Sequence, residues 1–158
     1  MQTPTVSENE IAKIVVNSAF KIHTTLGPGL FESVYETVME HELVNEHGLE
    51  VKRQVPIPVT WKNVKLELGF RSDLIIENKV ILELKAIDKL APVHFRQLLT
   101  YLKLTNLKLG LIINFDEPFI LYTDASSFAL KAILSQKDDQ KREQERQQNT
   151  KIALLKDN

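Results

Sequence analysis

Arg71-Ser-Asp73-Leu-Ile-Ile-Glu-Asn-Lys-Val-Ile-Leu-Glu83-Leu-Lys85-Ala86 decides how this chain folds. Two aliphatic runs flank Glu77-Asn78-Lys79, and Asn tolerates the left-handed backbone that a three-residue hairpin loop needs. Such a loop pairs Ile76 with Val80, Leu74 with Leu82 and Asp73 with Glu83. Side chains alternate between faces. One face then carries Leu74, Ile76, Val80, Leu82, Leu84 and Ala86. The other carries Asp73, Glu83 and Lys85, with Arg71 opposite Lys85. A one-residue slip would turn the charges onto the core, so the register is strongly specified.

Directly opposed carboxylates repel, and their Cβ atoms stand about 5 Å apart in such a pair. A divalent cation offsets that repulsion, since Mg²⁺ takes one or two carboxylates together with substrate oxygens and water. Lys85 lies one side-chain period from Glu83, placed to neutralise charge or to orient an attacking water. A site of this kind suits metal-assisted hydrolysis of a phosphodiester. The solvated face of an ordinary hairpin also carries Asp, Glu and Lys, with Lys85 alone offsetting the pair. The residues leave both readings open.

Upstream, Leu66 to Ile76 and Val80 to Ala86 read as two long strands. Val51 to Val59 alternates, and its two prolines suit an edge strand. Lys62-Asn63 reads as a turn. Before residue 50 the period changes. Ile11, Ile14, Val15, Ala19, Ile22 and Leu26 recur at helical steps over residues 8 to 26, and Ser7 with Glu10 fits a capping box. Gly27-Pro28-Gly29 breaks that helix. A second runs from about Leu30 to His47, with Gly48 as its stop. Downstream, Pro92 opens a third helix to about Leu104. Lys108 to Phe115 is an almost wholly apolar strand suited to the middle of a sheet. The resulting α/β order, helix, helix, three strands, helix, strand, ends in a β–α–β step, which implies a right-handed crossover and a parallel pair.

The chain has 158 residues, a net charge of −1 and no cysteine. That length suits one domain with a tail. The absence of cysteine excludes a disulfide scaffold, a thiolate zinc site and a cysteine nucleophile. No apolar run approaches a membrane span, and Met1 to Glu10 is not a signal peptide, so an intracellular location, cytoplasm or nucleus, is expected. Near-neutral charge lacks the large electrostatic footprint of a nucleic-acid binder, although Arg53, Lys62, Lys65, Arg71, Lys89 and Arg96 could line a local groove.

Two further places carry candidate chemistry. In Gly29-Leu-Phe-Glu32-Ser-Val-Tyr35, Glu32 and Tyr35 share a helix face. Glu32 in the first turn is also what a helix dipole favours, and Tyr35 also reads as core with its hydroxyl at the rim. In His94-Phe-Arg-Gln97-Leu-Leu-Thr-Tyr101, Gln97 and Tyr101 are four apart and could face one site, while a glutamine beside an apolar stripe is also ordinary surface. His23 and His94 have no companions at metal-ligand spacing and read as ordinary structural or surface residues.

Leu26-Gly-Pro-Gly29-Leu-Phe-Glu32-Ser-Val-Tyr35-Glu36, Arg71-Ser-Asp73-Leu, Glu83-Leu-Lys85-Ala86, Gln97-Leu-Leu-Thr-Tyr101-Leu and Gly110-Leu-Ile-Ile-Asn-Phe115 together resemble the GxxExxY family of the PD-(D/E)XK nuclease superfamily over about residues 8 to 115. The resemblance implies a mixed sheet flanked by helices in α–β–β–β–α–β order. It matches Asp73 and Glu83 to the metal-binding acids, Lys85 to the lysine of the E-x-K element, Glu32 to the helix acid and Gln97 to the polar residue of the following helix. It implies Mg²⁺ or Mn²⁺ as cofactor and DNA or RNA as partner. A catalytically inactive nucleic-acid-binding or protein-interaction module on the same fold is the alternative, because fold does not fix function.

Residues 117 to 136 resemble the opening strand and turn of a gypsy-type retroelement RNase H domain. Asp124 occupies the place of a metal ligand there, and also suits a helix N-cap. The 22 residues after Gln136 are too few to supply the remaining acids of such a site. Phe119 to Thr123 reads as a strand, Ala125 to Leu134 as a helix, and Gln136 to Gln148 as a solvated helix or frayed tail. The expected organisation is a nuclease-like domain over 1–115, an RNase H-like fragment over 116–136 and a charged tail over 137–158.

Overall fold

The computed structural model describes residues 5–67, 69–116, 119–122 and 150–156, the last two stretches as backbone strands. Asp124, the helix expected over 125–134 and the tail over 136–148 lie outside the described residues.

Helix α1 spans Glu8–Leu26 with the expected capping box: Ser7 N–H donates to Glu10 Oε2 at 2.8 Å, and Glu10 N–H to Ser7 Oγ at 3.3 Å. Its Ile11, Val15, Ala19 and Ile22 are buried, as their spacing requires. Helix α2 spans Glu32–His41 and widens into a π-helical turn over Glu42–Glu46. It starts two residues later than the periodicity suggests, because Phe31 is still extended.

Strand β1 is Val51–Pro56, β2 Val59–Trp61, β3 Val64–Leu66, β4 Arg71–Ile76 and β5 Val80–Lys85. The expected long strand over 66–76 is therefore two, separated by Gly69 in a left-handed conformation (φ 70°). Likewise, the run 51–59 is shared between β1 and β2. Strands β2 and β3 form their own hairpin around Lys62-Asn63, both left-handed, so that turn is as read. The β4–β5 hairpin has the expected three-residue loop and register, Ile76 opposite Val80 and Leu74 opposite Leu82.

Helix α3 (Pro92–Thr105) connects β5 to β6 (Leu109–Asn114), which run parallel. Strands β7 (Phe119–Tyr122) and β8 (Thr150–Lys156) complete a six-stranded mixed sheet in the order β1-β4-β5-β6-β8-β7. Strand β8 falls where the sequence reads as the end of a charged tail; it pairs antiparallel with β6.

The sheet is covered on both sides. Leu74, Ile76, Val80, Leu82 and Leu84 pack with α1 and α2, and Ala86 lies at the margin of that cluster. Ile75, Ile81 and Ile112 pack with Leu98, Tyr101 and Leu102 of α3. Gly110 makes the second layer possible: a Cβ there would lie 2.7 Å from Leu98 Cδ1. This is a three-layer α/β fold consistent with the PD-(D/E)XK nuclease-like architecture. No helix among the described residues is long and apolar enough to cross a membrane.

Candidate functional site

Residues 73 and 83 lie on the face covered by α3, at the step where the β4–β5 pairing stops. Beyond Leu74 and Leu82 the main-chain ladder gives way to side chains. Asp73 N–H donates to Glu83 Oε1 at 3.2 Å, and Leu84 N–H donates to Asp73 Oδ2 at 2.8 Å. Each carboxylate thus takes a backbone N–H beside the other acid, which locks the two together. Glu83 is only 4% exposed, so the reading of a solvated hairpin face fails: α3 covers it.

Two acids in so little water are costly to ionise together. Burial, and after it the charge of Asp73, pushes Glu83 up to about 8, against the pull of Lys85 and the Asp73 N–H. Asp73 is also raised, first by burial and then by Glu36 and Glu32, with the Leu84 N–H and Lys85 opposing. Lys85 Nζ stands 3.9 Å from Glu83 Oε2. One ammonium at that distance leaves the pair short of positive charge.

Glu32 opens α2, and its Oε1 accepts from Ala86 N–H at 3.2 Å, one residue past Lys85. The loop before it explains how. Gly29 (φ 92°) gives its N–H to Asp116 Oδ1 at 2.8 Å. The Tyr35 hydroxyl donates to Gly27 O at 2.6 Å and accepts from Leu30 N–H at 3.3 Å, while its ring stacks on Phe115 at 4.1 Å. The Gly29, Glu32 and Tyr35 spacing is therefore a clamp that presents Glu32 at the end of β5. Gln97 reaches the acids less directly: its Nε2 donates to Tyr101 Oη at 2.7 Å. Arg71 N–H also donates to that buried hydroxyl, which burial and then the nearby Glu83 charge raise above the ordinary phenol range.

Two residues that sequence reasoning did not single out, Glu36 and Gln54, complete the surroundings. Glu36, one helical turn after Glu32 and buried, accepts from Gln54 Nε2 at 3.0 Å. The same Gln54 nitrogen lies 3.4 Å from Asp73 Oδ1. Gln54 does this with a left-handed backbone (φ 49°) inside a strand, a conformation that costs about 1–3 kcal/mol and marks functional positions often. Arg53, expected to help line a groove, is instead tied to Glu36 and Glu40, each at 3.0 Å. The four-residue step from Glu32 was a signal for Glu36; nothing local marks Gln54. His94 is structural as read, its Nδ1 accepting from Ala91 N–H at 2.9 Å.

The PD-(D/E)XK nuclease superfamily model matches residues 9–123. The chain belongs to the PD-(D/E)XK nuclease superfamily. No curated protein and no solved structure gives a significant match. For a PD-(D/E)XK chain the donor chemistry at Asp73 and Glu83 fits a hard divalent ion: close-set carboxylate oxygens with more negative charge than Lys85 offsets. Among the described residues, no three His, Asp or Glu side chains stand at metal-holding spacing, so Glu32 and Glu36 lie outside the two-acid pair.

Proposed function

We propose that this protein is a Mg²⁺- or Mn²⁺-dependent nuclease that hydrolyses phosphodiester bonds in DNA or RNA, of the GxxExxY type within its superfamily. The observation that carries this reading is the interlock of half-buried Asp73 with buried Glu83, with one lysine near them to offset their charge. Asp73 and Glu83 would hold the ion. When bound, such an ion polarises the phosphoryl oxygens and lowers the pKa of a bound water.

The remaining roles fall to the chain itself. Lys85, half-buried beside Glu83, positions the attacking water and balances charge as the water oxygen joins phosphorus and the leaving oxygen departs with a proton. Glu32, held on Ala86 N–H, completes the acidic pocket. Gln97 fixes the Tyr101 hydroxyl and so acts as a positioning residue on the α3 side. The segment 117–136 is read as a fused RNase H-like fragment without a site of its own, which leaves chemistry to the first domain.

The test is cleavage of labelled DNA and RNA with and without Mg²⁺ or Mn²⁺. Asp73→Asn and Lys85→Ala are each expected to abolish metal-dependent cleavage. Unchanged turnover in either variant, in a preparation free of contaminating nuclease, refutes the assignment. A module that binds without cleaving is the second reading, favoured by the lack of a third acid at metal-holding spacing among the described residues. Metal-independent binding with no cleavage by the wild type would select it.

A further inference from the structure

The β2–β3 hairpin is a feature that the two-acid site does not absorb. It grows from the β1–β4 pair: Pro56 opposes Arg71, Ile57 N–H donates to Phe70 O at 2.8 Å, and a separate ladder then pairs Val59 with Leu66 and Trp61 with Val64. Its root is fixed, because Ile57 is buried against the α3 layer. Its tip is not covered. Trp61 is 66% exposed and Val64 55%. A tryptophan left this open at the end of an arm has no packing role in the fold.

The chemistry along the arm is consistent from root to tip. Arg71 lies on the same side of β4 as Asp73, and its guanidinium makes no ion pair with a described residue. Phe70 follows, partly exposed, its ring meeting Tyr101 edge-on at 6.1 Å. At the tip Lys62 Nζ stands 5.7 Å from the centre of the Trp61 ring. An indole with an ammonium beside it offers a stacking face and a phosphate partner together. Lys65 points from the opposite face of the hairpin and lies 4.0 Å from Glu67, so it adds little.

The geometry points to this hairpin as a binding arm for single-stranded nucleic acid, with Trp61 stacking on a base and Lys62 and Arg71 contacting phosphates on the way to Asp73 and Glu83. The substrate class this gives the proposed nuclease rests on that reading of the acids, but the arm itself does not need it. Base–aromatic stacking is open to any base whose face is free, which an intact duplex denies. The weak net charge favours the same choice, because duplex binding relies on neutralising many phosphates. Trp61 lies seven residues beyond Gln54, at most about 24 Å of extended chain. A stacked strand advances about 3.4 Å per nucleotide, so at most about seven nucleotides span the path from Trp61 back to Gln54 beside the acids.

The test is fluorescence anisotropy of labelled dT12 and of a 12-base-pair duplex, in EDTA so that binding is read without cleavage. Trp61→Ala should weaken dT12 binding about tenfold, within the range for loss of one stacked base. Trp61→Phe should restore most of it, and Lys62→Ala should reduce the salt slope by about 0.7, the loss of one phosphate contact on a single strand. Wild-type protein that fails to bind dT12, or a Trp61→Ala protein that binds it as tightly, overturns the proposal. So does a change confined to self-association, with Trp61→Ala converting a dimer to a monomer and leaving dT12 untouched. A Trp61-dependent complex in a protein that cleaves nothing keeps the arm and removes the nuclease. Cleavage unaffected by Trp61→Ala does the reverse.

Discussion

Replacing Glu83 by Gln tests what the buried member of the acid pair costs the metal-free fold. The amide keeps the shape and the oxygen that accepts from Asp73 N–H at 3.2 Å, while removing the charge. In the folded chain Glu83 holds its proton up to about 8, against an ordinary 4.5. The folded state therefore binds more protons than the unfolded one between those values, and stability falls as pH rises through that window. At about 1.4 kcal/mol per pH unit, the penalty carried by wild type is about 1 kcal/mol at pH 5, about 3 at pH 7 and about 5 at pH 9. A domain with 5–15 kcal/mol in total would register it plainly. Thermal melts in EDTA should show the Glu83→Gln protein gaining on wild type across that range, by roughly 6–12 °C in Tm at pH 7. Adding Mg²⁺ should restore wild type and leave Glu83→Gln nearly unmoved. A gap that stays constant from pH 5 to 9, or wild type gaining stability toward pH 9, would refute the reasoning.

Two further substitutions test the frame around the site. Tyr35→Phe removes the hydroxyl that holds Gly27 and Leu30, with an expected cost of about 2 kcal/mol, or roughly 4–8 °C in a thermal melt; an unchanged Tm would show that the clamp does not bear on folding. Gly110→Ala forces a methyl group to within 2.7 Å of buried Leu98, and should destabilise by about 1–3 kcal/mol in urea. A neutral result there would mean that α3 rides farther from β6 than described.

Much of this was legible in the sequence because it is local. The period-2 run around Glu77-Asn78-Lys79 carries its own loop and register, so the Leu74 to Leu84 core face and the neighbouring acids follow from alternation alone. The capping box of α1 and the Gly27-Pro28-Gly29 break are likewise written in adjacent residues. What was missed depends on partners distant in the chain. Alternation cannot say that α3 covers the second face, yet that cover is what buries Glu83 and raises it. Gln54 acquires its role only because β1 lies beside Asp73 and α2 brings Glu36 over it. The break at Gly69 was hidden by apolar residues on both sides, and β8 by its distance from β6, the strand it pairs with.

Calorimetry of Mn²⁺ binding at pH 7, repeated in buffers of different ionisation enthalpy, weighs the central claim most directly, because a carboxyl that titrates near 8 must lose its proton to become a ligand. One ion should bind with release of most of one proton at pH 7, the release falling toward zero by pH 9, and Asp73→Asn should abolish binding. Binding without proton release, binding that survives Asp73→Asn, or no binding at millimolar Mn²⁺ would contradict the shared-cation account of Asp73 and Glu83.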